Sequence, residues 1–281
     1  MLVFQRSKEI LKYINQNKKS IGLVPTMGAL HLGHISLIKK ALIENKLVIV
    51  SIFVNPTQFD NHTDLKNYPK DINTDIKRIN YIDKGIIIYT PLIEDLYGKN
   101  VIVKKFDFGF IGKELEGYYR KNHFNAVATI VEKLFKLFNP KRAYFGEKDY
   151  QQILIIKSLI KKSNLDIQIV SCPIIRDFDG LALSSRNKLL SSKEKKLAPL
   201  IYKTLLEVNK NFGNEKTNKI INNIYKKFKS IPSLELDYFE IRDSINLKPI
   251  KNKNTKQNYR AFIAVRIGEI RLVDNMELSV I

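Results

Sequence analysis

The first two-thirds of the chain alternates short apolar runs with amphipathic stretches. Ile21 to Val24, Leu47 to Val54, Gly85 to Tyr89, Ala143 to Phe145 and Ile167 to Pro173 are short and mostly apolar, which predicts strands buried on both faces. Ile35 to Asn45, Asp71 to Lys84 and Gln151 to Lys162 carry helical spacing. Val127, Ile130, Val131, Leu134, Phe135 and Phe138 share one helical face, and Asn139-Pro140 ends that helix. Strands alternating with amphipathic helices predict an α/β fold, a parallel sheet with helices on both faces.

The pattern changes near residue 176. Arg176 to Lys188 is polar and reads as a loop. Ser191-x-x-Glu194 has the form of a capping box and predicts a helix from about Ser192 to Asn211, with a second from about Lys216 to Lys229. Asp237 to Arg242, Tyr259 to Val265 and Glu269 to Val273 are strand-like. A smaller α+β domain is therefore expected over 176–281, after a first domain over 1–175.

Composition narrows the setting. With 281 residues, 44% of them hydrophobic, the chain can bury a sizeable core. No apolar run approaches the ~20 residues of a membrane span, so no membrane partner is expected. Met1 to Ile14 mixes charges with apolar residues at helical spacing, unlike a secretory signal. The single cysteine, Cys172, excludes an intramolecular disulfide and fits a reducing cytoplasm. It lies in an apolar run and reads as a small buried hydrophobe. The formal charge of +20 is mostly lysine, spread along the chain with abundant Asn and Ile. No basic stripe with interleaved aromatics stands out, and the densest cluster, Lys248 to Lys256, reads as a solvated loop. Non-specific adhesion to polyanions is expected, specific nucleic-acid recognition is not.

The candidate chemistry lies where strands end. In an open parallel sheet, ligands bind beyond the carboxyl ends of the strands. Four polar segments follow strand patterns: Met27 to His34, Asn55 to Phe59, Gly146 to Gln152 and Arg176 to Asn187. If the four strands are parallel, these segments converge on one rim. His31 and His34 sit at a strand-to-helix junction, where orphan N–H groups and the helix dipole favour an anion. Spaced i and i+3, their rings share a face. Gly28 and Gly33 permit a tight turn or a close approach. This junction reads as a nucleotide phosphate grip. A metal is the competing use of two histidines, but no third ligand is evident nearby. Lys148 and Arg186 can neutralise phosphates, and Ser184, Ser185 and adjacent N–H groups can cradle them. Asn55, Gln58 and Gln152 both donate and accept, which suits a substrate with hydroxyls and a carboxylate.

Together, PTMGALHLGH, FVNPTQF, HFNAVATIVEKLF, FGEKDYQQ and RDFDGLALSSRN, in this order and spacing over nearly the whole chain, resemble the pantoate–β-alanine ligase (pantothenate synthetase) family, within the wider HIGH-motif nucleotidyltransferases. The resemblance implies a Rossmann-like first domain, a smaller second domain that closes the site, and a cytoplasmic homodimer. It implies ATP-dependent condensation of pantoate with β-alanine through pantoyl-adenylate, giving pantothenate, AMP and pyrophosphate. Carried over by motif, Met27, Gly28, Ala29, Leu30, His31, Leu32, Gly33 and His34 would line the ATP site, with His34 catalytic and His31 supporting it. Gly146, Glu147, Lys148, Asp149, Ile175, Leu183, Ser184, Ser185 and Arg186 would also hold ATP. Gln58 and Gln152 would bind pantoate, Gln58 near β-alanine, and Mg²⁺ would accompany the triphosphate.

The family's usual R-P-G-H-F-x-G-V reads Arg120-Lys121-Asn122-His123-Phe124-Asn125-Ala126-Val127 here, and the usual acidic pair near Thr63-Asp64 is lacking. Asn122 can take the left-handed conformation that glycine allows, so the turn is expected to survive, with His123 bracing the loop. A rival within the superfamily is a nucleotidyltransferase acting on a phosphate ester. A rival outside it is a basic RNA-binding module.

Overall fold

Among the described residues, 2–17, 20–250 and 252–279 of a computed structural model, two sheets are formed. The first contains β1 (Leu2–Phe4), β2 (Ile21–Thr26), β3 (Leu47–Ile52), β4 (Ile87–Tyr89), β5 (Arg142–Gly146) and β6 (Gln168–Cys172). Its order is β1-β4-β3-β2-β5-β6, and every pairing is parallel. Residues 1–147 and 151–173 form one compact unit around it, and 148–150 with 174–281 form another.

Burial on both faces explains the unbroken apolar runs. On one face Leu23, Ile49 and Tyr89 pack with Ile10, Phe135 and Ile155, from helices Ser7–Asn17, His123–Phe138 and Tyr150–Lys162. On the other, Val24, Val50 and Ile88 pack with Ile38 and Ile79, from helices Leu32–Glu44 and Ile72–Ile82. Each strand thus sends alternate side chains into two apolar layers.

Two differences from the expected pattern have physical causes. The amino terminus is not helix from its start, because Leu2 to Phe4 pair with Ile87 to Tyr89 as an edge strand. Three residues carry no readable period, and only pairing with a distant strand reveals them. The strand pattern beginning at Ile21 also continues past Val24, through Pro25 to Thr26. Ile21 O accepts the Lys141 N–H at 2.9 Å, and Thr26 O accepts the Phe53 N–H at 3.0 Å. By strand alternation Ile21, Leu23 and Pro25 face β5, and Thr26 faces β3. The β2–β5 pairing stops at Leu23–Ala143, whereas β2–β3 continues to Thr26–Ile52. Proline, lacking an N–H, therefore sits where β5 has already diverged.

The second unit holds an antiparallel sheet of β7 (Glu235–Asp243), β8 (Tyr259–Ile267) and β9 (Ile270–Leu278), in that order. Helices Leu200–Phe212 and Thr217–Lys229 contribute Ile201, Leu205, Phe212, Ile224 and Phe228 to a core with Phe239, Ile263 and Val265. The single helix expected from Ser192 is two, Ser192–Leu197 and Leu200–Phe212, separated at Ala198-Pro199. Proline breaks the first helix and sits where the second has no N–H to satisfy. The capping box forms as expected, Ser191 Oγ accepting from Glu194 N and Glu194 accepting from Ser191 N. Of the Lys248 to Lys256 cluster, Lys251 lies outside the described residues.

Candidate active site

Strands β2, β3 and β4 step to one side of the sheet, and β5 and β6 lie on the other side of β2. The order reverses between β2 and β5, which is where α/β sheets leave a crevice beyond their carboxyl ends. Three expected segments leave that edge from adjacent strands of the first unit: Met27 to His34 after β2, Asn55 to Gln58 after β3, and Gly146-Glu147 at the end of β5.

Thr26 starts the β2 loop, its Oγ1 donating to Ser51 O at 2.8 Å and accepting from Gly28 N at 3.2 Å. Gly28 (φ 79°) and Ala29 (φ 50°) are both left-handed. Their turn points the N–H groups of Ala29 and Leu30 the same way. Asp75, 2% exposed, accepts both, at 2.7 and 2.8 Å. Arg78, one helical turn on, donates to Leu30 O. A side chain at Gly28 would meet Asp75 Oδ2 and Ile52 at 3.0 Å.

Helix Leu32–Glu44 then begins with His31 as its N-cap. His31 Nδ1 accepts the Gly33 N–H at 3.1 Å, and His34 Nδ1 accepts the His31 N–H at 3.3 Å. An accepting Nδ1 carries no proton, so each imidazole bears its proton on Nε2 and offers a donor there. The ring centroids are 4.0 Å apart. Gly33 permits this arrangement by size: a Cβ there would stand 2.9 Å from Cε1 and Nδ1 of His31.

After β3, buried Asn55 organises the second segment. Its Oδ1 accepts from Tyr97 OH at 2.8 Å and from Thr57 Oγ1 at 2.9 Å, and its Nδ2 donates to Gln58 Oε1 at 3.2 Å. With Oε1 so held, the buried Gln58 amide keeps its NH₂ as the group that can donate. Burial raises the Tyr97 phenol above its ordinary pKa, partly offset by its bonds to Thr57 and Asn55, so it remains a protonated donor. Gln58 O takes His123 Nδ1 and Arg120 Nη2, each at 3.0 Å. Arg120 Nη1 lies 3.1 Å from His123 Nε2. A guanidinium only donates, so Nε2 accepts and Nδ1 carries the proton. His123 thus braces this loop, and Asn122 (φ 62°) takes the left-handed turn. Of the adjacent glutamines, Gln151 is the buried one and ties Ile111, Glu114 and Glu116, whereas Gln152 is half-buried.

The second unit gathers the other expected residues. Ile175 O accepts from Leu183 N at 3.0 Å, closing a hairpin around Arg176 to Ala182. Ser184 Oγ caps the short turn of helix at Ser185–Leu189 by accepting from Arg186 N at 3.3 Å, and Ser185 is buried. Strand β9 anchors both loops. Asp274 accepts Arg176 Nη1 and Nη2 at 2.6 and 3.0 Å, and Asn275 Nδ2 donates to Lys148 O at 2.9 Å. Arg260 lies over the Tyr150 ring, 3.9 Å from its centroid, and donates to Asn275. Lys148 and Asp149 thus belong with Ile175 and Leu183 to Arg186 in this unit, while Gly146 and Glu147 stay with the first.

Asp75, Asp274 and Asn275 escaped the reading of the sequence. Asp75 stands four residues before buried Ile79, a carboxylate on an apolar stripe, which is the signal that could have found it. Asp274 and Asn275 look like the end of a strand, and β9 was expected to stop at Val273. They are instead buried inside it, at 4% and 2% exposed. Among the described residues, no group of three or more His, Cys, Asp or Glu side chains could hold a metal ion. A Mg²⁺ would have to draw most of its ligands from a bound triphosphate and water, which suits that ion.

A parallel sheet with paired imidazoles on a helix N-terminus at its switch point defines an α/β enzyme that handles an anionic ligand at the carboxyl edge of its strands. A family model described as pantoate-beta-alanine ligase matches residues 3–277. The pantothenate synthetase of Flavobacterium psychrophilum is 44% identical over 282 residues, covering 99% of this chain and 100% of that one. That of Christiangramia forsetii is 46% identical with the same coverage. The crystal structure of pantothenate synthetase from Thermus thermophilus superposes with a TM-score of 0.92 at 34% identity, covering 99% of this chain and 100% of that one. That of the Francisella tularensis pantoate-beta-alanine ligase, complexed with beta-gamma ATP and beta-alanine, gives 0.82 at 37%, covering 98% and 97%. This chain belongs to the pantoate–β-alanine ligase family, and it is a ligase.

Proposed function

We propose that the chain joins pantoate to β-alanine at the expense of ATP, through a pantoyl-adenylate. The observation that carries this is the imidazole pair of His31 and His34, each ring held at Nδ1 by a backbone N–H, at the start of the helix leaving β2. A carboxylate is a poor electrophile and an ammonium a poor nucleophile, so the two do not condense in neutral water. Attack of the pantoate carboxylate on the α-phosphorus of ATP expels pyrophosphate and leaves AMP as a good leaving group. β-Alanine's amine then forms the amide and releases AMP.

The Nε2–H groups of His31 and His34 suit an α-phosphoryl group whose charge shifts during attack, with His34 as the principal donor. Gln58 suits pantoate because its NH₂, with Oε1 held by Asn55, can donate to an oxygen acceptor, and Gln152 is assigned beside it. Met27, Gly28 and Leu32, with Gly33, Gly146, Glu147, Lys148, Asp149, Ile175 and Leu183 to Arg186, are assigned to ATP, whereas Ala29 and Leu30, 2% and 0% exposed with their N–H groups on Asp75, shape the loop beside it. Mg²⁺, held through the triphosphate, would neutralise part of its charge. No nucleophilic side chain is needed, since positioning alone can supply roughly 7–11 kcal/mol of such a barrier. Among the described residues no helix is long and apolar enough to cross a membrane. A cytoplasmic homodimer is the assembly we assign, by resemblance to the family.

Purified protein with ATP and Mg²⁺ should release pyrophosphate only when pantoate is present, and AMP when β-alanine follows. Folded protein that releases no pantoate-dependent pyrophosphate rejects the reading. Adenylyl transfer to a phosphate ester without β-alanine-dependent AMP would instead favour a nucleotidyltransferase.

A further inference from the structure

Consecutive N–H groups in a left-handed turn form a concavity that binds anions, and phosphate sites are commonly built this way. The turn at Gly28 and Ala29 has this form, and its two N–H groups, from Ala29 and Leu30, are held by Asp75. The protein supplies its own anion there. A triphosphate cannot use those donors without expelling a carboxylate that is 2% exposed. What Asp75 holds is the segment that begins the imidazole pair: Leu30 is followed directly by His31, whose backbone N–H holds His34 and whose ring is held by Gly33. Arg78, on the same helix as Asp75, takes Leu30 O, so both polar groups of Leu30 are tied to helix Ile72–Ile82. Ala29, a non-glycine residue at φ 50°, is kept in a conformation that L side chains disfavour, and two charge-assisted bonds converge beside it.

We propose that Asp75 is a positioning residue for adenylation: its buried carboxylate fills the turn before His31 and sets where the Nε2–H groups of His31 and His34 stand. The proposal rests on the adenylation reading, and its test separates the two. Asp75→Asn keeps the shape but replaces one acceptor oxygen with an NH₂ that faces a backbone N–H. The protein has four histidines, so their imidazole resonances are resolvable by two-dimensional NMR of the ligand-free protein. In Asp75→Asn the His31 and His34 resonances should move while His123 stays, and kcat for pantoate-dependent pyrophosphate release should fall about 100-fold, the scale of a 1 Å misplacement, with KM for ATP little changed. Parental imidazole resonances with parental kcat in folded Asp75→Asn would overturn it, as would a loss confined to melting temperature. Should that variant not fold, Arg78→Met loosens the same loop from an exposed position. It should move the same two resonances and lower kcat, and parental values for both would overturn the proposal. The resonances report on Asp75 whatever the reaction proves to be, and pyrophosphate release by the parent enzyme reports on the reaction.

Discussion

At the scale of single residues, what matters is which polar atoms are already committed. His34→Ala should slow pyrophosphate release far more than it lowers the melting temperature, and unchanged turnover would remove His34 from the mechanism. Gly33→Ala sets two effects against each other. Alanine favours a helix over glycine by about 1 kcal/mol, while loss of the His31 cap costs about 1 kcal/mol. The melting temperature should therefore stay near the parent's while kcat falls at least ten-fold, because the new Cβ displaces the His31 ring. A fully active variant would show that the ring's position is immaterial. Cys172 is 4% exposed, and burial, only partly countered by Lys40, pushes its thiol up to about 11. At pH 8 it is almost wholly a neutral thiol, so an aromatic disulfide reagent should label it only after denaturation. Rapid labelling of the native protein would contradict this. The sequence revealed the histidines, both glycines and Cys172, because each stands out by type or spacing. Asp75 did not stand out, since a carboxylate on a helix usually faces water, and its partners are backbone groups some 45 residues away.

At the scale of elements, a buried carboxylate with half-exposed lysine partners ties a helix to the segment beside it. Glu132, on helix His123–Phe138, is reached by Lys104 and by Lys136, the latter at 2.8 Å. Burial would raise its carboxyl, but the hydrogen bonds and charges of Lys104 and Lys136 outweigh this and hold it below its ordinary 4.5. A carboxyl with a lowered folded-state pKa binds fewer protons folded than unfolded. Its stabilisation is present above 4.5 and fades as pH falls through the lowered value. Glu132→Gln should thus lose about 2 kcal/mol at pH 7, the usual worth of a charged hydrogen bond. The gap to the parent should narrow at pH 3, as urea unfolding at both pH values would reveal. A gap that widens in acid would reverse the assignment. The alternation of strands and helices was legible because burial on both faces leaves unbroken apolar runs. β1 is too short to carry a period, and the break at Pro199 and the reach of β9 past Val273 depend on local and tertiary bonding that a hydrophobic pattern does not carry.

At the scale of the whole molecule, charge and topology act separately. A formal charge of +20 should bind the protein to heparin at low salt and release it by about 0.2 M, as counterion release requires, with no preference among duplex sequences. Sequence-selective retention at that salt would revive a nucleic-acid role. The parallel sheet, and the gathering of the β2, β3 and β5 loops at one edge, followed from the order of elements. The transfer of Lys148 to Tyr150 to the second unit was not legible, since it depends on Asn275 and Arg260, more than 100 residues further on. One hydrogen missing near the carboxyl end of β2 has a consequence for the crevice. Pro25 has no N–H to offer β5, so one bond of the ladder is missing just beyond Leu23, where the pairing of the two strands ends. A ligand seated there would break no bond between β2 and β5, because none is paired beyond Leu23–Ala143. That missing donor is fixed by the covalent chain itself.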